Sequence, residues 1–161
     1  MPTVSPAADL FLSPAMLLDH WQGHRRLTRR VIEAFPEDKL AGYSLGGMRP
    51  FGVMVVELLM MAAPTVRGVL NEDWSSSVSK EPKPKAELLR LWDASTKEMD
   101  ALWPKIPAAR FAEKINAFGQ YEGIARDLIL YVVDNEIHHR AQGYVYLRSL
   151  GIEPPAFWER K

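Results

Sequence analysis

The sequence predicts an all-α four-helix bundle with long interhelix connections, one of them a crossover, and three observations carry that prediction. Apolar residues recur at helical spacing through four segments separated by connections bearing proline and glycine. No segment shows the alternation that marks a strand. The 161 residues, 47% hydrophobic and 25% charged, have the size and composition of a single domain, residues 1–161, able to bury its own core.

The first helix is placed at about 14–35, where Ser13 and Pro14 supply a cap and a first helical position. Leu17, Trp21, Leu27, Val31 and Phe35 give its apolar spacing, and Pro36 ends it. The second, about 50–70, is apolar on nearly every side from Phe51 to Met61, so it is expected to be the most buried helix, bent near its end by Pro64. The third, about 84–103, carries a narrow stripe of Leu88, Leu91, Trp92, Met99 and Leu102 against a charged outer face. The fourth, about 123–150, stops at Gly151 with Pro154 and Pro155 beyond it. Of the connections at 36–49, 71–83 and 104–122, the last is expected to cross one end of the bundle and leave two successive helices parallel.

Composition removes several functions. Lys and Arg number 20, as do Asp and Glu, so no net charge draws the chain toward nucleic acid. With no cysteine there are no disulfides, thiolate nucleophiles, zinc fingers or iron–sulfur ligands. The N-terminal MPTVSPAADLFLS lacks the pattern of a signal peptide, and no uninterrupted apolar run is long enough to span a bilayer, so a cytoplasmic protein without membrane contact is expected.

Two features interrupt the apolar pattern. All four histidines, His20, His24, His138 and His139, fall on predicted helices. On the fourth helix Asn135, His139 and Gln142 share a stripe with Leu128, Val132 and Tyr146, which is either a hydrogen-bonded polar layer or a set of ligands, since residues at i and i+4 can face one ion. Glu57 is the only charged residue between Arg49 and Arg67. A carboxylate in that setting must be protonated, paired with a cation such as a neighbouring arginine, or bound to a metal. Glu136-Ile137-His138-His139 contains the Glu-x-x-His unit of di-iron bundles, but no second such unit accompanies it.

Asn135-Glu136-Ile137-His138-His139-Arg140-Ala141-Gln142, followed by Tyr146-Leu147-Arg148 and Gly151-Ile152-Glu153-Pro154-Pro155, resembles the helix-4 signature and tail of the DinB-like family. Arg49-Pro50-Phe51-Gly52 leading the second helix adds weaker likeness. The resemblance implies a divalent metal inside the bundle on three histidines. At those positions this chain has Glu57, Asn135 and His139, with Ala141 where glycine is usual. A set of two oxygens and one nitrogen suits manganese, iron or nickel better than zinc and binds more weakly than three imidazoles. His24, His138, Gln142 and Tyr146 are the expected supporting or pocket residues. The resemblance further implies a metal-dependent hydrolase or a transferase that joins a small thiol to an electrophile. The alternative is a stress-response or small-ligand-binding bundle that kept the pocket and lost the metal. Phe157 and Trp158 are expected to pack on the bundle or across a homodimer.

Overall fold

The structure is a computed structural model describing residues 11–161. The reading of the N-terminal segment rests largely on residues 1–10, which lie outside the described residues. Helix α1 (Pro14–Ala34) opens as its residues dictate, with the Ser13 side chain accepting the Met16 N–H at 3.2 Å and Pro14 at the first helical position. A single turn, α2 (Glu37–Leu40), follows Pro36. Helix α3 (Phe51–Asn71) runs on through Pro64 and buries residues on nearly every side. It alone among the described helices is long and apolar enough to cross a membrane, yet 67% of its most apolar window lies inside the bundle, as suits a core helix. Helix α4 (Lys85–Leu102) buries one stripe, Leu88, Trp92, Ser95 and Met99. Helix α5 (Ala125–Ser149) ends at Gly151, whose φ of +75° lets the Ile152 N–H return to the Leu147 carbonyl at 2.9 Å.

Two apolar clusters fill the interior, one toward each end. The first joins Leu17 and Trp21 of α1 to Val66 and Val69 of α3, Met99 of α4 and Ile129 and Val133 of α5. The second joins Val31 and Phe35 to Phe51 and Val55, Leu88 and Trp92, and Tyr146 and Leu147. Helices α1 and α5 therefore run one way and α3 and α4 the other. The crossover is thus the 72–84 segment between α3 and α4, not the 104–122 connection the sequence suggested. Arg67 bonds the Ser75 carbonyl at the start of this return path, and Lys85 Nζ donates to the Phe35 carbonyl at 2.8 Å at its end. A close approach helps to turn the chain: a Cβ on Gly68 would lie 2.2 Å from the Trp74 ring.

The 103–124 connection stays at one end and holds the second departure from expectation, a hairpin of β1 (Lys114–Ala117) and β2 (Tyr121–Ile124). Phe118 and Gly119 turn it at φ +54° and +68°, closed by the Gln120 N–H on the Ala117 carbonyl at 3.0 Å. Ile115 and Ala117 point into the first cluster's end of the core, and two four-residue strands are too short for their alternation to stand out. The class remains all-α.

The tail docks through charge rather than through its aromatics. The Arg26 Nε donates to the Arg160 carbonyl at 2.8 Å, and Arg30 faces Glu159 at 3.6 Å. Phe157 and Trp158 share a groove with Ile137, Arg140 and Tyr144 of α5 but stay 62% and 69% exposed, so the bundle covers them only in part.

Candidate functional site

Along the seam between α3 and α5 the isolated carboxylate and the polar stripe meet. Glu57 sits in the second turn of α3, and Asn135 and His139 face it from α5. Asn135 Nδ2 donates to Glu57 Oε1 at 3.2 Å, and His139 Nε2 lies 3.2 Å from the same oxygen. The residue that completes the group is Arg49, just before the helix cap at Pro50. Its Nη1 is 2.5 Å from Glu57 Oε2 and its Nη2 is 3.3 Å from His139 Nε2.

Each member is held in turn. Gln142 Oε1 is 2.7 Å from His139 Nδ1, and since an amide oxygen only accepts, that nitrogen carries the hydrogen. In the neutral ring Nε2 is then the acceptor and takes the Arg49 N–H. The Tyr146 hydroxyl donates to the Arg49 carbonyl at 2.8 Å, and burial pushes that phenol up, so it stays a donor. Close passage of α5 under the start of α3 brings Arg49 to His139. Gly143 permits it, because a Cβ there would lie 2.6 Å from the Phe51 ring. Burial alone would push the Glu57 carboxyl up, but the Arg49 guanidinium and the Asn135 amide outweigh it and hold the group below its usual range.

The structure brings Glu57, Asn135, His139, Gln142 and Tyr146 together around Arg49. Their stripe lies at the edge of the core, since Asn135 and Gln142 are half-buried while His139 is buried. His138 is exposed and lies beside His139, with ring centroids 5.1 Å apart, and His24 belongs to a separate network between α1 and α5. Arg49 was missed as a site residue. Its signal was legible: it stands eight residues before a lone carboxylate.

The separate network also escaped the sequence reading. Glu136 is buried and accepts from Thr28 Oγ1 at 2.7 Å and Trp21 Nε1 at 3.2 Å, with Arg25 Nη1 at 3.9 Å. Arg140 Nη2 donates to His24 Nδ1 at 2.9 Å, and Arg25 stacks on Trp92 at 4.1 Å. Burial, and then Arg140, Arg160 and His20, push the His24 ring down to about 3, so it is neutral at physiological pH. Glu136 and Arg140 at i and i+4 were the available signal, hidden because a core carboxylate and a core arginine look like surface residues until paired.

Beside the Glu57 group a groove of about 870 Å³ opens between α3, α5 and the hairpin, with Met61, Thr65, Leu128, Tyr131 and Val132 in its walls and Glu57 at one end. Another, of about 600 Å³, lies between α1 and α4, away from these groups.

The DinB family model matches residues 8–161. The chain belongs to the DinB family. Among solved structures, a DinB-like protein from Bacillus subtilis matches with a TM-score of 0.72 at 19% identity, covering 90% of this chain and 99% of that one. A second, from Bacillus cereus ATCC 10987, matches with a TM-score of 0.73 at 15% identity, covering 91% and 99%. At such identities the likeness is one of fold. No curated protein matches this chain.

The metal that the DinB resemblance implies can be tested against the residues present. Among the described residues no three His, Cys, Asp or Glu side chains are grouped to hold an ion. Glu57 and His139 supply one carboxylate and one imidazole, and both face the guanidinium of Arg49. That set, completed only by an amide, does not fit a resident divalent ion.

Proposed function

We propose that this DinB-family chain is a small-molecule-binding bundle in which Arg49 supplies the positive charge at the seam and the α3–α5 groove takes the ligand. The observation that carries the reading is the guanidinium bridging Glu57 and His139. A fixed cation neutralises the carboxylate and occupies the imidazole lone pair, the two groups a metal would use. The groove's apolar walls ending on a few convergent polar groups have the form of a ligand pocket.

The competing reading is a metal-dependent hydrolase or thiol transferase at Glu57, Asn135 and His139. The His139–Gln142 bond speaks for it, since it turns Nε2 toward Glu57 as a ligating histidine is turned. Metal analysis of protein purified without a nickel column separates the two. The binding reading expects far less than one metal per chain, and a near-stoichiometric ion overturns it. Asn135→His, which restores a second imidazole at i, i+4 to His139, is expected to bring zinc binding only when combined with Arg49→Ala. Tight zinc binding by Asn135→His alone would show that Arg49 does not hold the position.

A further inference from the structure

We propose that the groove between α3, α5 and the hairpin binds a small organic cation, an amine on an apolar or aromatic body. The inference rests on the ligand-binding reading above and names the class of ligand. Three carboxylates line the groove, Glu57, Glu122 and Asp127, and no basic side chain does among its described lining residues. The carboxylates do have cationic neighbours, Arg49, Lys114 at 2.8 Å and Arg126 at 3.4 Å, but none of these lines the groove. A cation entering the groove therefore meets carboxylate oxygens in the walls, whose own cationic partners lie outside the lining.

Two further features point to an amine. Tyr121 and Tyr131, 59% and 62% exposed, stand at the groove from the hairpin and from α5, and exposed tyrosine faces attract cations. At the floor Thr65 is 1% exposed and its Oγ1 has no hydrogen-bond partner. That oxygen is itself sealed from the groove, so an ammonium N–H reaches it only if the wall gives way, and relieving an unpaired buried hydroxyl would favour that shift. Carboxylates, tyrosine faces and an unpaired acceptor on one apolar-walled groove match an ammonium group carried on a hydrocarbon body, and suit a carboxylate ligand poorly.

Titration calorimetry at pH 7 with 2-phenylethylamine, 2-phenylethanol and phenylacetate, which share one aromatic body, tests the assignment. The amine is expected to bind about tenfold or more tightly than the alcohol, and the acid more weakly still, by the usual worth of a paired charge and a cation–π contact. Asp127→Asn is expected to weaken the amine severalfold and leave the alcohol unchanged. Tyr131→Ala should weaken the amine and Tyr131→Phe should not. Both positions are exposed, so these variants keep their fold, which circular dichroism verifies. Equal binding of amine and alcohol would overturn the cation class and leave the ligand groove standing. Tightest binding by phenylacetate would do the same and hand the polar end to Arg49. Amine binding indifferent to both Asp127→Asn and Tyr131→Ala would place the site elsewhere. Failure of all three compounds to bind would overturn the groove reading as well.

Discussion

A carboxylate on an apolar helix needs a cation, and at Glu57 the guanidinium of Arg49 lies 2.5 Å away while the side chains are 32% and 49% exposed. At that exposure water screens the pair, so its contribution to stability is modest, on the order of 1 kcal/mol. Its effect on chemistry is larger, because it fixes the protonation state of Glu57 and fills the lone pair of His139. Arg49→Gln is therefore expected to raise the Glu57 titration midpoint, readable by carboxyl NMR, and an unmoved midpoint would separate the two side chains. At His24 the sign runs the other way from a stabilised histidine cation. Its ring is held down at about 3 when folded against 6.5 when free, so the unfolded chain binds the extra proton. The resulting stability is complete above about pH 6.5 and is lost as pH falls toward 3, by up to about 1.4 kcal/mol per unit. Denaturant melts of the parent and His24→Gln between pH 4 and 7 are expected to converge as pH falls. Parallel profiles would show that His24 does not titrate with folding.

At the scale of elements, the helices were legible because each has its own punctuation: Ser13-Pro14 and Pro36 bound α1, and Gly151 ends α5. The hairpin was not, since Phe118 at φ +54° is not a residue that advertises a turn and the strands are only four residues long. The crossing of α3 over α5 depends on Gly143, which sequence alone presents as an unremarked helical glycine. Gly143→Ala would gain helix propensity but must displace Phe51. A net loss of about 1–3 kcal/mol is expected from the overpacking, read as a lower melting temperature. A more stable variant would mean that the two helices can separate without cost. The site stripe on α5 was legible in composition but not in depth, because 3.6-residue periodicity locates a face and not how far a neighbouring helix covers it.

For the whole molecule, the sequence pattern named four helices but not their directions, since long connections at both 71–83 and 104–122 leave the crossover ambiguous. What separates them is contact: Lys85 reaches Phe35, which only a return along the bundle by 72–84 allows. Arg49 was overlooked for a related reason, in that a residue in a connection acquires its meaning from the helix it is folded against. The exposed Phe157 and Trp158 leave a homodimer as the remaining way to cover them. Light scattering is expected to show a dimer for the parent and a monomer for the Phe157→Ala, Trp158→Ala double variant. A parent that is already monomeric would end that proposal. Whether Glu57 answers to an arginine or to a metal is read by melting the parent and Glu57→Gln, each with and without added manganese or zinc. With arginine as its partner, Glu57→Gln is expected to lower the melting temperature by the same few degrees with and without metal, with no metal-dependent rise in the parent. A parent stabilised by metal, and a Glu57→Gln variant that loses that stabilisation, would contradict it.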